Sequence, residues 1–306
     1  MSLLNRPSNG LHSVLVATFK ILLMKGKLPR QELLDLVAPP TLFADQAEDK
    51  KQDMAKKTLN RWVQLGLFQK STDDEISLVG DKKSKPTIDS LPSLARSLAL
   101  KPENNTDFLG EEPQGAGDFT RAITWLLAQN AWTLDSRSWD VIESLIQQQC
   151  PPGLKIIQND TRWSGLKPWS CFLGFAWTAK APNGEFLVPD PAKAIRDALP
   201  DIFGKSRELE ARFMVSALAL VLPVLDGGTY RQKLEDELKK AQGPDAWRPP
   251  PNGQLSTSLS RALLRLQEEK YIKGEKRADK SEQVRVFLSG RNNQIIAEYT
   301  HFSLIG

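Results

Sequence analysis

The chain has 306 residues, with 41 lysines and arginines against 37 aspartates and glutamates. At roughly 100–200 residues per domain it should hold two or three domains. Its 40% hydrophobic and 25% charged residues place it with globular rather than disordered chains. Two cysteines, Cys150 and Cys171, and two histidines near opposite ends, His12 and His301, argue against a disulfide framework, a zinc site or a histidine-based nucleophile. No metal or other cofactor is therefore expected. A net charge of +4 permits nucleic-acid binding without requiring it.

In chain order, the first helix is expected over Leu11–Lys25, apolar nearly all round and ended by Gly26. Pro29 opens a second helix carrying Leu33, Leu34, Leu36 and Val37, which stops before Pro39-Pro40. A third runs from about Asp49 to Leu65. Its Leu59, Trp62 and Val63 share one side, while Lys56, Lys57, Asn60, Arg61 and Gln64 fall largely on the other. Gly66 suits a left-handed position after that helix, and 67–70 and 75–78 read as two strands around Ser71–Asp74.

A polar linker over 79–92 follows. Beyond it lie six of the eight tryptophans: Trp125, Trp132, Trp139, Trp163, Trp169 and Trp177. Helices are expected over 91–100, 118–130 and 136–149. The segment 169–178 reads as a buried strand or short helix, Asn183-Gly184 as a turn, 186–188 as a return strand and 191–199 as a helix. The tryptophans are expected mainly to fill a core, although aromatics can also stack on unpaired bases.

The opening pattern then returns. Helices are expected over 207–225, 230–241 and 256–266, followed by a charged hairpin with strands at 271–275 and 284–288. Thr58-Leu59-Asn60-Arg61 matches Ser258-Leu259-Ser260-Arg261. Three helices and a hairpin, twice, resemble winged helix-turn-helix domains. The fold class expected is therefore mainly α with small β-hairpins: winged-helix domains at 1–80 and 205–306 flank a mainly helical, tryptophan-rich middle domain at 81–204 with a small hairpin.

A groove-reading helix packs one face on its own domain and offers donors on the other. In the first domain the candidates are Lys56, Lys57, Asn60 and Arg61. In the second they are Ser256, Thr257, Ser258, Ser260, Arg261 and Arg265, with Lys273, Lys276, Arg277 and Lys280 at the hairpin for backbone contact. Asp45, Glu48, Asp49 and Asp53, with Asp73-Asp74-Glu75 at the first wing, oppose phosphate. The second helix is therefore expected to grip DNA harder. The alternative for either domain is docking to protein.

Enzyme signals are thin. Gly115-Ala116-Gly117 lacks a preceding strand and a third glycine. Asp226 with Glu237-Leu238-Lys239 imitates a nuclease spacing, but Glu237 falls mid-helix, and Asp190 reads as a strand-to-helix turn. No catalytic residue is assigned.

Asn5-Arg6-Pro7 with the helix after it, and the turn Phe186-Leu187-Val188-Pro189-Asp190-Pro191, are similar to DpdG-type proteins, encoded beside the bacterial machinery for 7-deazaguanine DNA modification. The resemblance implies the restriction arm of such a system and brings no catalytic residues. The expected function is a non-enzymatic DNA-binding subunit of a bacterial defence or restriction complex. Its expected partners are double-stranded DNA and other subunits of the same system, with a homodimer compatible. The alternatives are a protein–protein adaptor and a transcription regulator with a ligand-binding middle domain. The start has no signal-peptide plan. The longest apolar run, 213–225, is broken by Ser216 and Pro223 and falls short of the ~20 residues that span a bilayer. A cytoplasmic location without membrane association is expected.

Overall fold

The computed structural model describes residues 2–4, 12–39, 41, 52–80, 86–111, 113–182, 184–251, 253–278 and 281–305. Asn5, Arg6, Pro7, Leu11, Asp45, Glu48, Asp49, Lys82, Lys83, Lys85, Asn183 and Lys280 lie outside these.

The elements are α1 (His12–Lys25), β1 (Lys27–Pro29), α2 (Arg30–Val37), α3 (Asp53–Gln64), β2 (Phe68–Lys70), β3 (Glu75–Leu78), α4 (Leu91–Ala99), α5 (Gly117–Ala128), α6 (Trp139–Gln149), α7 (Asp160–Phe172), β4 (Ala176–Ala181), β5 (Gly184–Pro189), α8 (Ala192–Phe203), β6 (Glu208–Glu210), α9 (Ala211–Val221), α10 (Thr229–Leu238), α11 (Thr257–Glu268), β7 (Ile272–Glu275), β8 (Val286–Ser289), β9 (Ile295–Tyr299) and β10 (His301–Leu304). The fold is mainly α with small antiparallel sheets, as the periodicity predicts. Two compact units result: residues 1–119 with 160–173, and residues 120–159 with 174–306.

In the first unit, α1 packs on α2 and α3. Leu15, Phe19, Leu22, Leu33, Leu59 and Trp62 are buried among these three helices. Lys27–Pro29, read as a loop and helix start, is a strand. It pairs with β3, giving a three-stranded sheet in the order β1-β3-β2 with Ile76 opposite Leu28. The segment 169–178, read as a strand or short helix, is the end of helix α7 and the start of β4; α7 begins at Asp160, where the sequence suggested no helix, and brings Trp169 to 5.6 Å from Trp62. Pro168 inside α7 masks its helical pattern.

The second unit repeats this plan, with different members from those the sequence suggests. The strand β6 runs straight into α9 as β1 runs into α2, and the residue before each helix has nearly the same backbone, φ −60 and ψ 139 at Glu210 against φ −54 and ψ 138 at Pro29. The first helical N–H bonds back to the residue just before the central strand in both: Arg30 N to Asp74 O at 2.9 Å, and Ala211 N to Thr300 O at 2.8 Å. The sheet order is β6-β10-β7, with buried Phe302 opposite Leu209 as Ile76 is opposite Leu28. Helix α8 packs on α9 and α11, as α1 packs on α2 and α3. The counterpart of α1 is therefore α8. The expected first helix of the repeat, 207–225, is instead β6 and α9, and α10 is an extra helix.

The helices α3 and α11 both run twelve residues. Each ends on a left-handed residue, Gly66 at φ 88 and Lys270 at φ 62. Leu67 N bonds Trp62 O and Tyr271 N bonds Leu266 O, both at 2.9 Å. Trp62 thus corresponds to Leu266 and Leu59 to Leu263. The matched phrases, Thr58–Arg61 and Ser258–Arg261, are out of register by one helical turn.

The expected hairpin of 271–275 with 284–288 does not form. Strand β7 pairs with β10, while β8 pairs with β9 in a separate hairpin inserted between them.

Candidate nucleic-acid interface

Helix α3 buries Leu59 and Trp62 and turns Asn60 and Gln64 to solvent. Lys56 and Lys57 are half-buried, and Lys57 pairs with Asp53 one turn earlier. Asn60 Oδ1 accepts from Arg30 Nη2 at 3.1 Å. Arg30 sits on this face because β1 hands the chain directly to α2. The sequence could have flagged it as the first residue after Pro29, yet its closeness to Asn60 depends on the missed strand. Gln52 locks the two helices. Its Nε2 donates to Asp35 Oδ1 at 2.7 Å and to Ala38 O at 3.0 Å.

Arg61 is not on this outward face, contrary to expectation. It is 3% exposed and donates to Ser2 O. Burial lowers its pKa, with Asp118 opposing. Asp118, itself buried, accepts from Leu3 N at 3.0 Å and Leu4 N at 2.8 Å. The two charges pin residues 2–4 inside the first unit.

The face expected on the second helix is also inside. Ser256 caps α11, with its Oγ accepting from Leu259 N and donating to Asp226 Oδ1 at 2.6 Å. Thr257 Oγ1 accepts from Ala131 N at 2.9 Å. Ser258 Oγ donates to Leu127 O at 2.6 Å, and Ser260 Oγ accepts from Ser289 N at 2.9 Å. All four hydroxyls are buried and engaged within the unit, so they offer nothing to phosphate as the chain is folded. Arg261 Nη1 donates to Ala131 O at 2.9 Å, and its guanidinium lies 4.7 Å over the Trp132 ring. Arg265 bonds Asp190 Oδ2 at 2.8 Å and Glu269 Oε1 at 2.7 Å. Short polar residues spaced along one helix face look the same whether they meet a groove or a neighbouring backbone, which is why the sequence misleads here.

The charged residues expected at the second hairpin are balanced by acids. Lys273 pairs with Glu275 at 2.8 Å, Lys276 with Glu298 at 2.6 Å, and Arg277 with both Glu208 and Glu275. Hydrogen bonds from Arg277, Lys273 and Lys276 hold Glu208, Glu275 and Glu298, respectively, below the usual glutamate range. At the β2–β3 hairpin Lys70 pairs with Asp74 at 2.7 Å, and Lys27 of β1 pairs with Glu75 at 2.8 Å.

The remaining sequence candidates have structural partners. Gly115, at φ +64, lies where a Cβ would come within 2.6 Å of Asn104 O, so packing and backbone conformation explain the lone G-x-G. Asp226 is occupied by Ser256, and Glu237 pairs with Lys240. Trp125, Trp163 and Trp169 are core residues, Trp139 is half-buried, and Trp132 and Trp177 are exposed.

The sequence model of the DpdG-like family matches residues 1–280, and the chain belongs to this family. Membership points to a role in the 7-deazaguanine DNA-modification system, which comprises several proteins. No curated protein and no solved structure matches the chain. Among the described residues, no helix is long and apolar enough to cross a membrane.

Proposed function

We propose that the chain is a non-catalytic DNA-binding subunit of this system's restriction arm. Its two repeated modules are winged helix-turn-helix domains with separate tasks. The second domain begins at α8, because α8 takes the place of α1. The carrying observation is the contrast between equivalent helices. The outward side of α3 keeps Lys56, Lys57, Asn60 and Gln64 with Arg30 beside them, whereas the N-terminal half of α11 is enclosed by 127–131 and β8, and on its exposed C-terminal half Arg265 is tied to Asp190 and Glu269. The first module therefore meets the duplex, and the second organises its own unit. This reverses the ranking that local acidity suggested.

The test is duplex binding against salt concentration. Arg30→Ala and Lys57→Ala should each weaken binding across sequences and lower the salt slope by about one. Arg261→Ala should leave both unchanged. Unchanged binding in the first two variants would sink the assignment. The adaptor reading draws on the charge-balanced wings. It requires no retention on DNA at moderate salt and nuclease-resistant co-purification with a partner from the native host.

A further inference from the structure

Within the second unit a cleft of about 720 Å³ runs along the outward side of α11. Two tryptophans line it, Trp132 at 44% and Trp177 at 41% exposure. Paired exposed indoles in one concave site mark a binding surface.

The cleft's charges select the ligand. Arg261 already lies on the Trp132 ring, so one half holds a guanidinium in cis. Arg265 is neutralised by Asp190 and Glu269. The Trp177 ring and the Glu268 carboxylate have no partner among the described residues, and Leu264, one turn before Glu268, lines the same wall. Two guanidiniums and three carboxylates leave the lining net negative, which disfavours phosphate. An indole face attracts a cation, a carboxylate gives it a charge-assisted hydrogen bond, and an apolar wall accepts a methylene stem.

We propose that this cleft captures an arginine side chain presented by a partner protein. The guanidinium lies against Trp177 and donates to Glu268, while the stem runs along Leu264. The site uses none of the residues assigned to duplex binding, so the two proposals fail separately.

The test uses the full chain and the peptide Gly-Gly-Arg-Gly-Gly, read by the indole N–H resonance of Trp177 in NMR titration. The arginine peptide should move that resonance saturably. Its citrulline counterpart, nearly the same shape without charge, should bind roughly tenfold more weakly. Trp177→Ala, read by calorimetry, and Glu268→Gln, read at the same indole, should each cost roughly tenfold with the melting temperature unchanged. Equal binding of the citrulline peptide overturns the proposal, as does unchanged affinity in both variants. A single-stranded oligonucleotide that moves the Trp177 resonance at lower concentration than the peptide also overturns it, in favour of a base-stacking site.

Discussion

Arg265 Nη1 donates to Asp190 Oδ2 at 2.8 Å, tying the C-terminal half of α11 to the Pro189-Asp190-Pro191 turn that starts α8. The partners differ in burial: Arg265 is half-exposed, whereas Asp190 is 7% exposed and also accepts from Ala192 N at 3.0 Å. Asp190→Ala removes both bonds and should cost about 1–3 kcal/mol. Arg265→Ala leaves the turn bond in place and should cost about 0–1 kcal/mol. Urea unfolding checks the order, and a larger loss for Arg265→Ala would show that the pair, not the turn, dominates.

Ser260→Ala removes the acceptor of the buried Ser289 N–H, the bond that fastens β8 to α11. An orphaned buried donor costs about 1–3 kcal/mol. The expected outcome is lower stability with DNA affinity unchanged. Loss of DNA affinity without loss of stability would restore Ser260 as a contact residue.

The equivalent helix ends make opposite predictions. Lys270 holds φ 62 where Gly66 holds φ 88, and a side chain in the left-handed region costs about 1–2 kcal/mol. Lys270→Gly should therefore stabilise by about 1 kcal/mol, and Gly66→Ala should destabilise by about as much. Thermal melts of the two variants should shift in opposite directions, and a shared direction would contradict the equivalence of the two positions.

What the sequence reveals follows from which forces act locally. Helix α3 is legible because Leu59 and Trp62 face one core and Gly66 marks its end. Strand β1 is not, because three residues carry no periodicity and only pairing with β3 makes them a strand. The match of 58–61 with 258–261 survives a one-turn slip because four residues return a helix to the same face, so the phrase finds the right helix in the wrong register. The burial of Arg61 under Ser2, and of Ser258 under Leu127, depends on residues distant in sequence and leaves no local mark.

Charge state adds a pH prediction. Glu208, Glu275 and Glu298 titrate below the ordinary value of 4.5 because of bonded cations. A carboxylate with a depressed folded pKa contributes stability above its unfolded value and loses it as pH falls through the folded one. Asp118 works oppositely: burial raises its pKa, so its contribution is lost as pH rises from 3.8 through the folded value. Protection of the β7 and β10 amides against exchange, referred to the intrinsic rate at each pH, should fall below about pH 4.5, and Glu298→Gln should blunt that change. A flat profile across this range would deny these ion pairs any role in holding the sheet.

Cys150 offers a chemical readout of packing. Burial pushes its thiol up to about 12, so almost no thiolate forms near neutrality. Iodoacetamide at pH 8 should leave it unmodified in the folded protein and label it fully in urea, as read by mass spectrometry. Rapid labelling of the native chain would show that the C-terminus of α6 opens readily.

The interruption of the first unit sets a timetable for synthesis. Helix α7 belongs to that unit although residues 120–159 of the other precede it. Until residue 173 leaves the ribosome, Trp62 lacks Trp169 and His12 lacks Phe172, ring pairs at 5.6 and 5.4 Å. The usual rule that the N-terminal domain folds first therefore bends here: the amino-terminal unit waits for the chain to begin its neighbour and return.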